Sequence, residues 1–235
     1  MKVLIVLPVY NEQEILALSL EQLVDFCHKN LTEAWQIIIA DNDSTDQTAV
    51  IAQELSIKYQ AVSYMFVPQK GKGLAIRTAW QKFRADVYIF MDVDLATGLE
   101  AVPVLIKGIA SGYEVVVGSR FLVGSKVIGR NLLRRLTSIG YSLLTRLILN
   151  LKTKDAPCGF KAINERVKRE ILPLVENNEW FFDTELLIKA QQSRFKILEI
   201  PVIWRESKRP SKVSTFRLSW QYLRQIVRLF FKIKR

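Results

Sequence analysis

Short apolar runs alternate with stretches of helical spacing along the first 120 residues of this 235-residue chain. The runs are nearly continuous, as in strands that are covered on both faces, and they occupy residues 3–9, 35–42, 62–67, 87–94 and 114–120. The stretches between them repeat apolar positions every three or four residues, over 12–28, 46–59, 72–84 and 99–110. This alternation predicts an α/β fold with a mainly parallel, doubly wound sheet.

The pattern changes after residue 120. Helical spacing continues at 127–151, 164–175 and 181–194, and 197–204 is a further apolar run. Residues 215–235 predict an amphipathic helix with basic residues on one side and apolar residues on the opposite side. We therefore predict one domain over residues 1–204, which includes an interface helix region at 127–151, followed by a basic amphipathic segment over residues 205–235.

The formal net charge of +11 is concentrated in two segments. Residues 119–154 hold eight Lys or Arg and no acid, and residues 205–235 hold ten Lys or Arg and one acid, whereas residues 1–118 hold nine basic and 14 acidic residues. Both basic segments are also rich in large apolar residues, which favours a membrane surface or a lipid phosphate over nucleic acid. A solvated basic face is the alternative explanation.

The cellular location is predicted from three features of the sequence. Two cysteines in 235 residues fit a reducing compartment better than a disulfide-stabilised one. The apolar start of the chain is interrupted early by Pro8 and Glu12, which does not suit a cleavable leader. No apolar run approaches the roughly 18 residues that span a bilayer. We expect a cytoplasmic protein that is peripherally associated with the cytosolic face of a membrane.

Polar residues follow four of the predicted strands at the point where each strand ends. In doubly wound sheets, ligands bind outside the carboxyl ends of the strands, so these groups should meet in one cleft. The groups are Tyr10-Asn11-Glu12, Asp41-Asn42-Asp43, Asp92-Val93-Asp94 and Gly118-Ser119-Arg120.

Asp92 and Asp94 are candidate ligands for a divalent cation. Carboxylates suit Mg²⁺ or Mn²⁺, which keep several coordination positions for water and phosphate oxygens. Such an ion stabilises the negative charge of a departing diphosphate. The alternative is a strand-end turn with two capping aspartates, and the three-residue motif alone does not decide between them.

Asp41 and Lys72 are further candidates at the same edge. Asp41 has the chemistry to accept hydrogen bonds from a nucleotide, whereas capping of the next helix explains Ser44 and Asp46. Lys72 lies between two glycines at the start of a helix, where backbone amides favour anions. The spacing is not that of a P-loop, so ATP hydrolysis is not indicated. Lys72 therefore faces either a phosphate or solvent.

Arginines after residue 119 are candidates for binding an acceptor anion. Arg120 ends a strand at the cleft rim, and Arg130, Arg134 and Ser138 recur every four residues on one helix face. The segment contains no acid to balance them, which an ordinary solvated face explains less well. His28 is the only histidine and lies in the first predicted helix, so we expect a structural role for it and no histidine-based catalysis.

Taken together and in order, these motifs resemble the inverting family 2 glycosyltransferases with a GT-A fold. Within that family they resemble the dolichyl-phosphate and polyprenyl-phosphate sugar synthases, and in the second half the dolichyl-phosphate β-glucosyltransferase branch. The segments that carry the resemblance are Pro8-Val9-Tyr10-Asn11-Glu12, Asp41-x-Asp43-Ser44-x-Asp46-x-Thr48, Gly71-Lys72-Gly73, Asp92-x-Asp94, Gly118-Ser119-Arg120, Asp155-x-x-Cys158-Gly159-Phe160-Lys161, Trp180-Phe181-Phe182-Asp183-Thr184-Glu185-Leu186, Glu199-Ile200-Pro201-Val202-x-Trp204 and Ser211-Lys212-Val213.

The resemblance implies a GT-A fold with C-terminal amphipathic helices at the membrane interface, and it assigns roles to the candidate residues. The resemblance favours UDP-glucose as the donor, with GDP-mannose as the other possibility, and implies a polyprenyl or dolichyl phosphate as the acceptor. Asp94 and Arg120 are the expected catalytic residues, and Asp92 and Asp94 the expected ligands of Mg²⁺ or Mn²⁺. The expected nucleotide-sugar site comprises Pro8, Tyr10, Glu12, Asp41, Asp43, Lys72 and Asp92. The expected lipid-phosphate site comprises Arg130, Arg134, Ser138 and Arg209.

Two departures from the family pattern matter. The mannosyl synthases tend to carry Gln two positions after the second aspartate, as a further metal ligand, and Ala96 stands there in this chain. Their late Arg-x-x-Gly-x-Ser-Lys motif is replaced by Arg209-Pro210-Ser211-Lys212.

The implied reaction is direct displacement at the anomeric carbon, with inversion. A phosphate acceptor is already an anion, so the site needs no strong general base and relies on orientation and charge stabilisation. A transferase for a soluble sugar or protein is an alternative that needs a carboxylate base, for which Asp183 and Glu185 are candidates. A noncatalytic membrane-binding protein is the third interpretation, and the sequence leaves the oligomeric state open.

Overall fold

The computed structural model describes residues 1–129, 131–206 and 215–233. Its strands are β1 (Lys2–Val9), β2 (Ala34–Asp41), β3 (Val62–Phe66), β4 (Val87–Met91), β5 (Val115–Ser119), β6 (Lys126–Ile128), β7 (Phe160–Asn164), β8 (Ile197–Pro201) and β9 (Ile203–Arg205). Its α-helices are α1 (Leu16–Asn30), α2 (Thr48–Lys58), α3 (Lys72–Lys82), α4 (Val102–Ala110), α5 (Leu132–Leu149), α6 (Glu165–Glu170), α7 (Phe182–Gln192) and α8 (Thr215–Ile233).

Seven of these strands form one twisted sheet in the order β3-β2-β1-β4-β7-β5-β8. All neighbours pair in parallel except β7, which runs antiparallel between β4 and β5. The chain moves outward from β1 to β3 and then returns to place β4 on the other side of β1. This reversal of strand order creates a crevice at the carboxyl ends of β1 and β4, which is where ligands bind in such sheets. The predicted mainly parallel α/β fold is confirmed.

Helices cover both faces of the sheet, because alternate residues of each buried strand point to opposite sides. Leu4 and Val6 of β1 pack with α3 and α7, in a cluster that includes Trp80 and Phe182. Ile5 and its neighbours on the other face pack with α1, α2 and α4. Both clusters consist of side chains that are at most 9% exposed.

Three predicted elements differ from the structure. The region predicted as helical from 127 begins instead with β6, and α5 starts only at Leu132, because residues 126–128 pair with β9 and Gly129 turns the chain at φ 77°. The run at 197–204 divides into β8 and β9, which belong to different sheets. The helix predicted over 164–175 ends at Glu170 and gives way to a single 3₁₀ turn that contains Pro173, since proline cannot continue an α-helix.

The helices α5 and α8 pack against each other at the edge of the domain. The rings of Tyr141 and Tyr222 lie 4.6 Å apart, and Ile226 and Leu229 of α8 are buried in the cluster of α3 and α7. Among the described helices, none combines the length and the low polarity that a transmembrane span requires.

Candidate functional site

Three of the four polar strand ends lie together, as the sequence predicts, and hydrogen bonds link the ends of β1 and β2 to the start of α3, whose Lys72 contacts Asp92 after β4. After β1, the backbone N–H of Asn11 donates to Ser44 Oγ (2.9 Å) and that of Glu12 to Thr48 Oγ1 (2.7 Å), which ties this strand end to the one after β2. The backbone N–H of Gly71 donates to Asn42 Oδ1 (2.8 Å), which brings in the start of α3.

Left-handed backbone conformations turn the chain at three strand ends. Asn11, Asp43 and Leu95 have φ values of 53°, 62° and 49°. Asparagine and aspartate tolerate this region, but it is uncommon for leucine. The turn at Leu95 places the backbone N–H of Ala96 3.1 Å from Asp94 Oδ1. Ala96 therefore helps to orient Asp94 through its backbone, whereas its methyl side chain supplies no metal ligand.

The side of the cleft predicted to bind the nucleotide contains Asp41. This carboxylate is fully buried and accepts hydrogen bonds from the backbone N–H of Ser44 and from the hydroxyl of Tyr64, each at 3.1 Å. Burial, and then the charge of Asp41, raise the pKa of Tyr64 to about 12. Tyr64 thus remains a hydrogen-bond donor at neutral pH and orients the carboxylate.

The other predicted nucleotide residues lie around the cleft mouth. Pro8 pairs with Ala40 in the parallel register of β1 and β2, one residue before the strand ends. The Tyr10 hydroxyl accepts a hydrogen bond from Lys70 Nζ (2.7 Å), and that ammonium lies 4.7 Å from the ring centre. Lys70 is therefore a cation at this mouth that the sequence motifs did not single out.

The pair Asp92 and Asp94 follows β4 at the centre of the cleft. Asp92 Oδ1 lies 2.7 Å from Lys72 Nζ. Asp94 reaches solvent at the cleft mouth, yet the surrounding protein is dense enough that desolvation, followed by the charge of Asp92, raises its pKa to about 6. A divalent cation would remove this conflict between two neighbouring carboxylates, because its charge favours the ionised form of both.

The residues present fit a cation that is shared with a ligand. Among the described residues, no cluster of three or more histidine, cysteine, aspartate or glutamate side chains could hold a metal by itself. Two carboxylates leave most positions of an octahedral Mg²⁺ or Mn²⁺ to water and phosphate oxygens, which is how such ions bind nucleotide substrates. Gly159 packs against Asp92, since a Cβ at this position would lie 2.2 Å from Asp92 Oδ2.

A row of alternating charges runs inward from Asp92. Lys72 Nζ lies 3.8 Å from Asp183 Oδ2, and the other oxygen of Asp183 lies 2.7 Å from Lys161 Nζ. Lys161 is fully buried and also donates to the carbonyl oxygen of Cys158. Burial opposes the charged form of Lys72, but Asp92 and Asp183 outweigh it, so the pKa of Lys72 is raised. Lys72 is thus a permanent cation beside the candidate metal ligands.

The segment before α7 fixes the position of Lys72. Gly71 adopts φ 152°, and a Cβ there would lie 2.4 Å from the carbonyl oxygen of Asn178. That carbonyl accepts the backbone N–H of Leu74 at 2.9 Å, and the ring of Trp180 lies 5.0 Å from Lys72 Nζ. Neither Asn178 nor Trp180 could be assigned a role in the site from the sequence, because both act through contacts with residues that are distant along the chain.

Arg120 lies at the rim, where it forms a buried ion pair with Asp155. Its backbone N–H, Nε and Nη2 all donate to the two carboxylate oxygens, at 2.7 to 2.8 Å. Burial opposes the charge of Arg120, but Asp155 outweighs it and raises the pKa of the guanidinium. In the sequence, Asp155 belongs to a family motif but has no assigned role. The structure shows that it holds Arg120.

Two carboxylates that the sequence offered as alternative bases have other partners. Asp183 lies between Lys161 and Lys72. Glu185 Oε2 accepts the backbone N–H groups of Glu176 (3.1 Å) and Asn177 (2.7 Å) and so stabilises the loop before α7.

The single histidine lies away from the cleft. His28 belongs to α1, and its ring packs edge-on against that of Trp35, with 4.8 Å between the ring centres. This packing agrees with the structural role that the sequence predicts for His28.

The predicted lipid-phosphate residues are only partly within the described structure. Arg130 and Arg209 lie outside the described residues, and so does the side chain of Arg134, although its backbone belongs to α5. Ser138 is half-buried one turn further along α5. Their grouping around an acceptor phosphate stays a prediction.

Comparisons with known proteins agree with this architecture. A model of glycosyl transferase family 2 matches residues 4–172. The chain is 33% identical over 236 residues to a dolichol-phosphate mannosyltransferase of Pyrococcus furiosus, an alignment that covers 97% of the chain and 64% of that protein. It is 32% identical over 219 residues to glycosyltransferase AglD of Haloferax volcanii (92% of the chain, 35% of that protein). It is 30% identical over 221 residues to a dolichyl-phosphate β-glucosyltransferase of Saccharomyces cerevisiae (86% and 66%). The chain therefore spans between about one third and two thirds of the length of these relatives.

Solved structures show the same fold at lower sequence identity. The glucosyl-3-phosphoglycerate synthase of Mycobacterium tuberculosis, in complex with Mn²⁺ and UDP-glucose, superposes with a TM-score of 0.67 at 19% identity, over 94% of this chain and 76% of that one. The family match at residues 4–172 covers well over half of the chain and includes the strand ends that form the cleft. The chain therefore belongs to glycosyl transferase family 2.

Proposed function

We propose that this chain transfers a hexose from a nucleotide-diphosphate sugar to a polyprenyl phosphate at a membrane surface, with inversion at the anomeric carbon. The observation that carries the proposal is the grouping of Asp92, Asp94 and Lys72 at the topological crevice of the sheet, together with the buried carboxylate of Asp41 at the end of β2, which Asn42 joins to the start of α3. This grouping provides acceptors for a nucleoside on one side and positive charge for a diphosphate on the other.

The residues of the chain would bind and orient the donor. Asp41 would accept hydrogen bonds from the nucleoside, and Lys72 would lie beside the diphosphate once the donor is bound. Asp92 and Asp94 would hold Mg²⁺ or Mn²⁺, which supplies charge stabilisation for the departing nucleoside diphosphate. An oxygen of the acceptor phosphate forms the new bond to the anomeric carbon while the bond to the diphosphate breaks. The acceptor is already ionised at neutral pH, so no side chain has to remove a proton.

The outer helices support a lipid acceptor. Helix α5 exposes Leu132, Leu136, Ile139, Leu143 and Leu147, which recur every three or four residues on one side and are 44–73% exposed. Helix α8 adds a second exposed row, Trp220, Leu223, Val227 and Phe231. We call these nine residues the apolar surface. Exposed apolar patches of this kind mark contacts with membranes or partners, and the basic residues of the same helices favour anionic lipids.

We further propose that the segment over residues 205–235 acts as a membrane-interface element of the domain and that the chain works peripherally at a cytosolic membrane face. The burial of Ile226 and Leu229 against the domain supports the first point, because α8 is anchored by one side and exposes the other. Two free, buried cysteines are consistent with a reducing compartment. Relatives named for dolichyl phosphate support the acceptor class.

A soluble acceptor is the second candidate and is less well supported. It needs an available carboxylate base, but Asp183 lies between two lysines and Glu185 holds two backbone amides. The fold of the glucosyl-3-phosphoglycerate synthase shows that this architecture is also found in an enzyme named for a small phosphorylated product.

A panel of donors and acceptors tests the proposal. UDP-glucose and GDP-mannose are each supplied with Mg²⁺ or Mn²⁺, with a polyprenyl phosphate in vesicles or with soluble sugars and phosphoglycerate. We expect one donor to label the lipid, and the anomeric configuration of the product to be opposite to that of the donor by NMR. Labelling of a soluble acceptor alone would establish the second candidate. Vesicle binding without turnover of any donor would indicate a noncatalytic membrane-binding protein.

A further inference from the structure

We propose that Asp183 is a second binding partner for the ammonium group of Lys72, and that a divalent cation binding at Asp92 moves this ammonium from Asp92 to Asp183. The inference rests on the proposed cation site at Asp92 and Asp94. It goes beyond that site because it gives Asp183 a positioning role and proposes that Lys72 and the metal compete for the carboxylate of Asp92.

The geometry places Lys72 between two carboxylates. Its Nζ lies 2.7 Å from Asp92 Oδ1 and 3.8 Å from Asp183 Oδ2. Asp183 uses its other oxygen, Oδ1, to accept a hydrogen bond from Lys161 Nζ. A displacement of the ammonium by about 1 Å therefore suffices for a normal hydrogen bond to Asp183.

Burial makes the second partner necessary. The Lys72 side chain is 9% exposed and that of Asp183 is 3% exposed, whereas Asp92 is 44% exposed at the cleft. A cation that arrives from solvent reaches Asp92 before it could reach Asp183. It then repels the ammonium of Lys72, which is bound to the Asp92 carboxylate. An ammonium left without a partner in a buried site is costly, so the metal would otherwise be excluded or the lysine expelled. Asp183 offers the lysine a partner on the buried side.

The surroundings allow this movement and limit its direction. The ring centres of Trp180 and Phe90 lie 5.0 and 5.4 Å from Lys72 Nζ, so aromatic faces contact the ammonium on its way. Lys161 fixes Asp183 through a buried ion pair and thereby keeps Oδ2 directed at Lys72. The carboxylate of Asp183 is thus a fixed acceptor, and Lys72 is the group that moves.

The alternative is a rigid row of charges in which Lys72 stays where it is. Both models predict that removing Lys72 strengthens cation binding and that neutralising Asp183 weakens it, because both changes alter the local charge. The models differ in whether the effect of neutralising Asp183 on cation affinity depends on Lys72. If Asp183 acts by binding the displaced ammonium of Lys72, neutralising Asp183 does not change the cation affinity of a variant that lacks Lys72.

A double-mutant cycle measures this dependence. Binding of Mn²⁺ alone, without donor or acceptor, is followed by water-proton relaxation enhancement for the natural chain, Lys72→Met, Asp183→Asn and the double variant. We expect Lys72→Met to tighten Mn²⁺ binding about tenfold, Asp183→Asn to weaken it about tenfold, and the double variant to bind as Lys72→Met does. The control is Lys58→Met, an exposed lysine that pairs with Glu21 of α1, and it should change the affinity less than about twofold.

A second measurement covers the case in which Asp183→Asn fails to fold. The ε-methylene carbon resonance of Lys72, assigned by its loss in Lys72→Met, is followed by NMR while Mg²⁺ is added to the natural chain. We expect it to shift with the same Mg²⁺ dependence as the carboxyl resonances of Asp92.

Three results would overturn the inference. They are an undiminished effect of Asp183→Asn in the Lys72→Met background, a Lys72 resonance that does not move with Mg²⁺, and the absence of Mn²⁺ binding to the natural chain. None of these measurements uses a sugar donor, so the inference can fail while lipid-linked sugar transfer stands, and the converse also holds.

Discussion

The strand-end cleft buries charged side chains, whereas the outer helices α5 and α8 expose apolar ones. In the cleft, the side chains of Lys72, Asp183 and Lys161 are each at most 9% exposed, and each has an opposite charge within 4 Å. On α5, the five leucine and isoleucine side chains of the apolar surface are 44–73% exposed, although each would be more stable in an apolar environment.

The charges in the cleft are neutralised within the chain itself, whereas the exposed apolar side chains of α5 and α8 can be buried only by a partner. A buried charge is tolerated only when the protein supplies its counter-charge, so the cleft is formed in the isolated chain. An exposed apolar surface is stabilised only by something outside the chain, so α5 and α8 need a second surface to bury theirs. Four sets of substitutions test this difference between the cleft and the outer helices.

Arg120→Met is expected to have the largest effect, because it leaves Asp155 as an unpaired, fully buried carboxylate. Removing one partner of a buried ion pair costs about 3–5 kcal/mol in the free energy of unfolding, which urea denaturation would measure. Lys58→Met is the matched control, since it breaks the exposed pair with Glu21 and should leave the denaturation midpoint almost unchanged. Equal midpoints for the two variants would show that the cleft does not depend on its internal ion pairs.

Asp92→Asn is expected to abolish most sugar transfer while preserving the fold. The side chain is 44% exposed and nearly the same size after substitution, so the melting temperature should change little. Transfer should fall about 10²- to 10³-fold, because the variant loses one of two cation ligands and with it charge stabilisation of the leaving group. Radiolabelled donor turnover at saturating Mn²⁺ would test this, and full activity would remove the cation from the proposed mechanism.

Replacing three exposed leucines of α5 tests the other region. The triple change Leu136→Ser, Leu143→Ser and Leu147→Ser should weaken binding to anionic phospholipid vesicles by at least about tenfold, because the loss of even one fully buried leucine, about 1.5–3 kcal/mol, is enough for that. Donor binding should be unaffected.

The control for this triple variant removes exposed apolar residues from the other face of the sheet. Leu18→Ser and Ile57→Ser alter α1 and α2, where the side chains are 62% and 85% exposed. Vesicle flotation should separate the two variants. Equal loss of binding in both would indicate general surface hydrophobicity and no specific membrane-facing side.

The sequence predicted the sheet well, because its evidence is local. Continuous apolar runs marked β1 to β5, and the polar residues that follow them placed Asp41, Asp92 and Lys72 in one cleft. The sequence did not reveal β7, because it lies antiparallel between β4 and β5, two strands that are distant from it in sequence. Strand β6 was also missed, because its three residues are exposed and become a strand only through pairing with β9.

The pairing of charges in the cleft was beyond sequence reasoning for a related reason. Arg120 was predicted to be catalytic and to bind the acceptor anion, and its pairing with Asp155, 35 residues later, depends on how two loops approach each other. Asp183 was considered only as a possible base. Its pairing with Lys72 and Lys161 was missed because these three residues belong to segments that are distant from one another in the sequence. Residue types and spacing identify chemistry at a strand end, but they do not show which charges neutralise each other.

The fourth set of substitutions changes one glycine in the cleft and one in α5, and it should have the smallest effect of the four sets. A Cβ at Gly159 would lie 2.2 Å from Asp92 Oδ2, so Gly159→Ala must displace this half-exposed carboxylate. We expect affinity for Mn²⁺ and donor, measured by calorimetry, to fall several-fold to about tenfold, with little change in stability. In α5, a Cβ at Gly140 would have no atom within 4 Å, so Gly140→Ala should leave donor affinity intact and stabilise the helix by about 0.5–1 kcal/mol. If the two variants behaved alike, Gly159 would not shape the site, and the close packing that distinguishes the cleft from α5 would have no role in donor binding.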